Sequence, residues 1–598
     1  MATAKRKTVS VWVGGAAGDG IASVGESLAK IFARNGLHVY AYNSYQSVIR
    51  GGHVWWQMRA GSEKVYTQPE NCHLLIALNQ DTIDQHALGV EKGGGVLFNS
   101  DKLQVRPEHL ANGAQSMGLS MSKLAKLPIM QNTVATGAFM FLTGLPLESL
   151  EKALQERFGK KKPEVVQPNI DAARAGYEYA KQNWKSLGLN LELSNKQRLV
   201  MTGNQGIAVG ALAANCKFFS AYPMTPASSI MHFLAPNGPK NGMVMKQCED
   251  EIASMNMAVG AGQMGTRSMT ATSGGGFSLM TEAVGLAGML EVPVVVVNVQ
   301  RGGPSTGLPT KTEQGDLFQV LGASQGEYPR IILAPQTIED AFHVTTESFN
   351  LAERYQCPVL ILSDLMLSEH TETVDKLDLN VRVDRGEVLT EWTDSSPYLR
   401  YKDVPSGISP RIYPGTRNVS YVSASDEHNE RGEVISDVFT DPVMRKKMVE
   451  KRMRKMDGAR KEIAKLFPVK LEGPADADVT LVGWGSNYNL LKALLRRLEE
   501  EGTKANILMI KVIAPFLSEE VGTILSKCKR PIMIENNFTS QMARLIRMET
   551  GYNIKDKILK YDGEPFPASL VYREIKGILA KKSGSAEAGE VVRVGAAV

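Results

Sequence analysis

The stretch TVSVWVGGAAGDGIASVGESLAKIFARNGLHVYAY, residues Thr8–Tyr42, decides the fold class of the chain. A β-branched run leads into a glycine-rich turn at residues 14–20, and an amphipathic segment follows as far as Gly36. These apolar patterns predict a strand, a helix and a second strand, in that order. The stretch therefore predicts a βαβ unit and, with it, a parallel sheet.

The same order of elements recurs twice more along the 598 residues. A second block opens with a glycine-rich turn at residues 203–206, and a third opens with a predicted strand at residues 479–482. A chain of this length exceeds what one hydrophobic core can organise. We therefore predict a multidomain α/β protein with blocks at 1–190, 191–375 and 470–582, a connector at 376–469 and a flexible tail at 583–598.

The connector contains a charged segment, Asp441–Leu466, that we predict to be a helix. Its basic stretch KKMVEKRMRK has two interpretations, a binding surface for an acidic partner or the solvated face of a connecting helix. We favour the solvated helix, because runs of charge in a helix usually face water.

Composition excludes several classes of protein. A net charge of +5 is small for this length and indicates no nucleic-acid partner. The five cysteines are scattered without a Cys-x-x-Cys pair, so we predict neither a metal site, nor an iron–sulfur ligand set, nor a disulfide framework in this chain. The first residues lack the apolar core of a signal peptide, and no apolar run is long enough to span a bilayer. We predict a soluble, cytoplasmic protein.

The segment AYPMTPASS, residues Ala221–Ser229, follows a predicted strand. Thr225 should then stand at the carboxyl edge of a parallel sheet, where doubly wound folds bind ligands. The alternative is that Thr225 only caps the next helix. The segment alone leaves both open.

Three acids, Glu249, Asp250 and Glu251, open the next predicted helix. Acids at a helix start compensate the macrodipole, which is a sufficient structural reason for them. The helix carries almost no charge after Glu251, however, and this composition predicts a buried helix. A carboxyl in an apolar site has a raised pKa, which suits proton exchange with a bound cofactor.

Two further motifs follow predicted strands. The turn SGGG, Ser273–Gly276, lacks the dinucleotide-binding spacing, and a close approach of the backbone is enough to explain it. Arg301 follows the most hydrophobic strand of the block and precedes two glycines. It is placed to clamp a small anionic substrate bidentately, and a structural ion pair with one of the three acids is the alternative.

Taken together, YPMTP, the acid-led helix, SGGGFSLM and QRGGPSTGLPTKTEQGD resemble the alpha subunits of the 2-oxoacid:ferredoxin oxidoreductases, in particular those acting on 2-oxoglutarate. The resemblance covers nearly the whole chain. TLVGWGSN and IENNFTSQMARLIR are similar to the transketolase C-terminal-type domain of that subunit. IRGG, Ile49–Gly52, is similar to the family's gamma domain, here fused at the amino terminus.

The resemblance implies roles for named residues. The second block becomes a pyrimidine-binding domain for thiamine diphosphate, in which Glu251 contacts the aminopyrimidine; Glu249 is the alternative, and the helix spacing favours Glu251. Arg301 would hold the 1-carboxylate of the substrate and Thr225 would bond near its 2-oxo group. The further residues implied are Gly274 and Gly275 for the cofactor, and Arg50, Gly51 and Gly52 for coenzyme A.

The implied reaction converts 2-oxoglutarate, coenzyme A and two oxidised ferredoxins to succinyl-CoA, carbon dioxide and two reduced ferredoxins. Electrons that leave singly need an iron–sulfur relay. The resemblance assigns a four-iron four-sulfur cluster, the diphosphate site and Mg²⁺ to a beta subunit, in a dimer of alpha-beta heterodimers. The motif of Asp19 and Asn43 imitates a magnesium and diphosphate site, but Ser44 replaces a second asparagine. We therefore assign no metal to this chain.

Other functions remain open. The closest alternative is the same chemistry on pyruvate or a branched-chain 2-oxoacid, which an apolar pocket would recognise. The gamma-like block disfavours a transketolase or an acyl-lipoyl-forming dehydrogenase. A scaffold subunit without catalytic activity is the non-enzymatic alternative, and the presence of both Glu251 and Arg301 argues against it.

Overall fold

The computed structural model describes residues 7–46, 52–159, 162–436, 440–581 and 589–595. The strands are β1 (Thr8–Ala16), β2 (His38–Ser44), β3 (His53–Gly61), β4 (Cys72–Ala77), β5 (Val90–Asn99), β6 (Gln115–Leu119), β7 (Leu199–Thr202), β8 (Phe218–Ala221), β9 (Val244–Gln247), β10 (Ser268–Thr272), β11 (Val294–Gln300), β12 (Ile331–Leu333), β13 (Pro358–Asp364), β14 (Thr371–Val374), β15 (Leu471–Glu472), β16 (Val479–Trp484), β17 (Ala505–Ile510), β18 (Val512–Ala514), β19 (Pro531–Glu535), β20 (Asp556–Leu559) and β21 (Val591–Arg593).

The α-helices are α1 (Ile21–Arg34), α2 (Gln80–His86), α3 (Met121–Leu124), α4 (Gln131–Thr143), α5 (Leu147–Phe158), α6 (Val166–Asn183), α7 (Gly203–Ala213), α8 (Ser228–Asn237), α9 (Glu251–Gln263), α10 (Gly274–Met289), α11 (Leu317–Leu321), α12 (Ile338–Tyr355), α13 (Leu365–Glu369), α14 (Pro442–Leu466), α15 (Asn487–Glu500), α16 (Ser518–Lys527), α17 (Gln541–Thr550) and α18 (Ala568–Ala580). Across the described residues, no helix is both long and apolar enough to cross a membrane.

A first compact unit comprises the described residues up to Thr202 together with Glu369–Leu377. Its sheet has the order β6-β5-β4-β1-β3-β2-β14-β7. β1 runs parallel to β4, but β3 lies between β1 and β2 and is antiparallel to both. The prediction of a parallel sheet from the first βαβ unit is therefore wrong for this half of the sheet. The connection from β2 to β3 is too short for the crossover that a parallel strand needs.

The boundaries of this unit differ from the predicted ones at residues 190 and 375. β7 and β14 pair antiparallel with each other, and β14 also pairs antiparallel with β2. Both strands thus complete the first sheet, although they flank the second block in sequence. Strand pairing over such a separation leaves no local signal, so sequence patterns could not predict it.

The second unit comprises residues 203–368 and the described residues from Asp378 onward. Its larger sheet has the order β18-β12-β13-β11-β10-β8-β9, parallel throughout except for β18. Buried side chains cover both of its faces, as a doubly wound fold requires. This confirms the predicted α/β class.

The smaller sheet of this unit has the order β15-β17-β16-β19-β20-β21. Buried residues of both sheets, among them Val296 and Trp484, belong to one hydrophobic core. β21 pairs in parallel with β20, so the prediction that the whole of residues 583–598 is a flexible tail is wrong at Val591–Arg593. The small and polar residues before this strand are typical of a flexible segment, and its β-branched run is too short to predict a strand by itself.

Helix α14 begins after Asp441, whose carboxylate accepts hydrogen bonds from the amides of Val443 and Met444. The prediction that its basic stretch is solvated is wrong on one face. Lys451 and Lys455 are fully buried and donate to the carboxylate of Glu291 at 2.6 and 2.7 Å. A buried charge needs a partner, and Glu291 supplies it from a distant part of the sequence.

Candidate functional site

The predicted site residues of the second unit follow neighbouring strands of its larger sheet. β8 pairs in parallel with β10, and β10 pairs in parallel with β11. Their carboxyl ends therefore meet at one edge of the sheet. Thr225 follows β8, the glycine-rich turn follows β10, and Arg301 follows β11 directly. The fold thus places these three motifs at the same edge.

Glu251 is the first residue of α9, and the Asp250 side chain caps that helix through the amide of Ala253 at 2.7 Å. Glu251 is only 3% exposed, whereas Glu249 is exposed. Within the described part of the chain, Glu251 Oε1 has no hydrogen-bond partner. Burial raises the pKa of Glu251, and the negative charge of Asp250 raises it further. The site therefore contains a buried carboxyl whose pKa is raised and whose Oε1 has no hydrogen-bond partner among the described residues.

Gly276 in the first turn of α10 lies against this carboxyl. A Cβ atom on Gly276 would stand 2.3 Å from Glu251 Oε1 and 2.2 Å from Thr272 Oγ1. The resemblance implies Gly274 and Gly275 as cofactor-binding residues, which stays a prediction, and it did not single out Gly276. Gly274 faces Asp316, and Gly275 is exposed. Only the rotation of α10 decides which glycine of three meets Glu251.

Arg301 is half-buried at the end of β11, and its Nη1 donates to the carbonyl oxygen of Thr225 at 2.6 Å. This bond joins two predicted site residues that are 76 positions apart in sequence. It fixes one edge of the guanidinium and leaves Arg301 at the same sheet edge as the Thr225 side chain. The geometry is that of a cation whose position is set by the backbone of Thr225.

Two more carboxyls lie near Arg301, and sequence analysis missed them. Burial raises the pKa of Asp316 to about 6, although Asn298 Nδ2 donates to it at 3.1 Å and Arg301 lowers its pKa. Burial, with the charge of Asp316, raises the pKa of Glu313 to about 7. Both acids belong to the segment KTEQGD. Its polar composition is typical of an exposed loop, so the sequence alone gave no indication that they are buried.

The other predicted sites lie in the first unit. Of the residues expected to bind coenzyme A, Arg50 and Gly51 fall outside the described residues. Gly52 is exposed, and its carbonyl accepts from the amide of Ala17 in the glycine-rich turn at 3.3 Å. The Asp19 carboxylate accepts from the amide of Ala16 at 3.0 Å. In the described ranges, no three His, Cys, Asp or Glu side chains are grouped so that they could hold a metal ion.

Comparisons with known proteins match these units. Residues 209–445 match the thiamine-diphosphate-binding family of pyruvate flavodoxin/ferredoxin oxidoreductases, and residues 10–179 match the pyruvate ferredoxin/flavodoxin oxidoreductase family. The 2-oxoacid:ferredoxin oxidoreductase alpha subunit of a Sulfolobus species is 32% identical, over 93% of this chain and 94% of that subunit. The 2-oxoglutarate oxidoreductase subunit KorA of Mycobacterium tuberculosis is 29% identical, over 97% and 93%.

A solved structure covers the same length. It is the 2-oxoglutarate:ferredoxin oxidoreductase of Magnetococcus marinus, with 2-oxoglutarate, coenzyme A and succinyl-CoA bound. It superposes with a TM-score of 0.86 and 32% identity, over 96% of this chain and 100% of that one. The resemblance predicted from the motifs is confirmed. The chain belongs to the alpha subunits of the 2-oxoacid:ferredoxin oxidoreductase family.

Proposed function

We propose that the chain is the alpha subunit of a 2-oxoglutarate:ferredoxin oxidoreductase. The complex would convert 2-oxoglutarate and coenzyme A to succinyl-CoA and carbon dioxide, and the two electrons would leave singly to ferredoxin. Relatives of nearly full length whose names specify 2-oxoglutarate support this substrate. The observation that carries the chemistry is the buried carboxyl of Glu251 with its unpartnered Oε1.

Glu251 fits the aminopyrimidine of thiamine diphosphate. A buried carboxyl oxygen without a hydrogen-bond partner needs one, and a ring nitrogen of the pyrimidine would supply it. Thiamine diphosphate, when bound, supplies the carbon nucleophile for attack on the 2-oxo group. Burial raises the pKa of Glu251, so the carboxyl is suited to donate a hydrogen bond to a ring nitrogen and to exchange a proton there when the cofactor is bound. Gly276 keeps the carboxyl accessible because it carries no side chain.

Arg301 and Thr225 fit the 2-oxoacid end of the substrate. The guanidinium of Arg301 would hold the 1-carboxylate in a bidentate pair, with its orientation set by the bond to the Thr225 carbonyl. The hydroxyl of Thr225 would donate to the 2-oxo oxygen. Arg301 follows β11 directly and Thr225 lies in the loop after β8, and the hydrogen bond between them supports the positional precision that such contacts need.

The remaining parts of the enzyme belong to other sites and subunits. All five cysteines are free thiols, and Cys72, Cys216, Cys248 and Cys357 are buried, which supports a beta subunit as the holder of the four-iron four-sulfur cluster. That subunit would also bind the diphosphate and Mg²⁺, in a dimer of alpha-beta heterodimers in the cytoplasm. Coenzyme A would approach the first unit near Arg50, Gly51 and Gly52.

The native complex, purified through an affinity tag on this chain, tests the proposal. We expect a brown complex that contains a second subunit and reduces ferredoxin or a viologen dye with 2-oxoglutarate and coenzyme A, forming succinyl-CoA detectable by mass spectrometry. The chain purified alone should be colourless and inactive. Faster turnover of pyruvate or a branched-chain 2-oxoacid would make that compound the substrate in place of 2-oxoglutarate. A single chain that contains iron and reduces the dye would overturn the subunit assignment.

A further inference from the structure

The loop that carries Arg301 runs from residue 301 to residue 316, and we call it the arginine loop. Its second half is fastened to the smaller sheet of the second unit, at the ends of β16, β19 and β20. The amide of Thr312 donates to the carbonyl of Gly563 at 3.0 Å. Gln541 Nε2 donates to the carbonyl of Gly315 at 2.7 Å. The loop follows a strand of the larger sheet, and residues of the smaller sheet hold much of its second half.

Gln314 is the centre of this attachment and is fully buried. Its Nε2 donates to Asp364 Oδ2 at 3.2 Å and to the carbonyl of Trp484 at 3.1 Å. Its Oε1 accepts from Asn487 Nδ2 at 3.1 Å and from the amide of Asn536 at 3.3 Å. A carboxamide has two donor hydrogens and two acceptor lone pairs, so the side chain of Gln314 uses all of its hydrogen-bonding capacity.

The backbone of Gln314 is fixed as well. Its amide donates to the carbonyl of Asn536 at 2.7 Å, and its carbonyl accepts from Asn537 Nδ2 at 3.0 Å. Gly485 leaves space for the amide group, since a Cβ there would stand 2.8 Å from Gln314 Nε2. Residues at or just after the ends of β13, β16 and β19 thus fix the position of Gln314.

The fixed half of the loop is connected to Arg301 through short hydrogen bonds. The amide of Gly302 donates to the carbonyl of Lys311 at 3.0 Å, and the amide of Leu308 donates to the carbonyl of Gly302 at 2.8 Å. At the other end, the amide of Asp316 donates to Gln300 Oε1 at 3.0 Å. The residues on either side of Arg301 are therefore tied to the segment that Gln314 holds.

We infer that Gln314 is a positioning residue for substrate binding: it sets the place of Arg301 from the smaller sheet, without touching the substrate. The inference rests on the proposed function, in which Arg301 holds the 2-oxoacid carboxylate. It gives the third block of the chain a part in catalysis, although none of the predicted site residues lies there. A bidentate ion pair depends steeply on geometry, so a shift of the loop should weaken substrate binding before it affects other steps.

The test compares Gln314→Ala with Asn506→Ala in the complete complex. Asn506 is an equally buried amide of the smaller sheet, and its Nδ2 donates to the carbonyl of Pro474 at 2.8 Å, outside the arginine loop. Loss of either amide should lower the melting temperature. Only Gln314→Ala should raise the half-saturating concentration of 2-oxoglutarate, by about tenfold or more, while half-saturation by coenzyme A stays unchanged.

If the half-saturating concentration of 2-oxoglutarate is the same in Gln314→Ala as in Asn506→Ala, the inference is overturned and Gln314 has only a structural role. If Gln314→Ala fails to fold, Gln541→Ala replaces it, because Gln541 is only half-buried and also holds the loop. We expect a smaller rise of the same kind, and no rise would overturn the inference. A wild-type complex that turns over no 2-oxoacid would instead remove the proposed function, and this inference with it.

Discussion

The carboxyl of Glu251 rests on the backbone of Gly276, so that even a methyl group at position 276 would come within 2.3 Å of Glu251 Oε1. This contact joins the first turns of two helices, α9 and α10, at the carboxyl edge of the parallel sheet. The Glu251 carboxyl is buried, and no side chain at position 276 covers it. Such a pair suits the proposed contact between this carboxyl and the flat aminopyrimidine ring.

Replacing Glu251 by Gln should abolish the proton function while keeping the size of the side chain. We expect the rate of 2-oxoacid oxidation to fall by about 10²–10⁴, the usual contribution of a proton-transfer group. Thiamine diphosphate binding, followed by calorimetry on the complex, should be largely retained. Glu249→Gln is the matched control, because Glu249 is exposed. The complex with this variant should turn over 2-oxoglutarate at the normal rate. An inactive Glu249→Gln beside a fully active Glu251→Gln would transfer the role to Glu249.

Gly276→Ala should displace the Glu251 carboxyl, because the added methyl group collides with Glu251 and with Thr272. We expect turnover to fall by at least about tenfold, or ~1.4 kcal/mol in activation free energy. Gly577→Ala is the control, since Gly577 lies in α18 with open space around its Cα. That change should stabilise the helix by about 0.5–1 kcal/mol and leave turnover unchanged. Normal turnover in Gly276→Ala would show that the contact has no part in the reaction.

Arg301→Lys keeps the positive charge and loses the planar fork. We expect the half-saturating 2-oxoglutarate concentration to rise at least about tenfold, ~1.4 kcal/mol, with little change in melting temperature. The control is Arg330→Lys, because Arg330 is also half-buried and donates to the backbone carbonyls of Leu321 and Ala323. It should lower the melting temperature without a change in substrate saturation. The reverse pattern in the two variants would make Arg301 structural.

Glu313 should make stability depend on pH. Burial raises its folded pKa to about 7, above that of the unfolded chain. Between these two values the unfolded state releases the proton first, so the fold loses stability as the pH rises from about 4.5 to 7. Glu313→Gln removes this loss. The melting temperature of the variant should therefore match wild type at low pH, below about 4.5, and exceed it at pH 8.

A difference of the same sign and size at both pH values would contradict that prediction, since it would mean that the exchange acts through packing rather than through ionisation. Asp316→Asn is a useful comparison. Burial raises the pKa of Asp316 to about 6, so its effect should be complete at a lower pH than that of Glu313.

The sequence by itself determined the elements and their chemistry. The strand predicted at residues 479–482 lies within β16, and the helix predicted at Asp441–Leu466 matches α14, because apolar runs and helix-capping residues are local signals. The same holds for Arg301, which follows β11 directly, and for Thr225, which lies in the loop after β8. Carboxyl ends of parallel strands share an edge of the sheet, so the fold class alone places both residues at that edge. The strand order β11-β10-β8 then decides how near to each other they lie.

Only the tertiary structure decided which groups meet. It made Gly276, and not Gly274 or Gly275, the neighbour of Glu251, since the rotation of a helix on its sheet depends on packing along its whole length. It buried Lys451 and Lys455 against Glu291 and fixed the arginine loop through Gln314. These contacts join residues 160 or more positions apart. No pattern in a local window encodes such a pairing, because its free energy comes from burial that exists only after the distant segments have packed together.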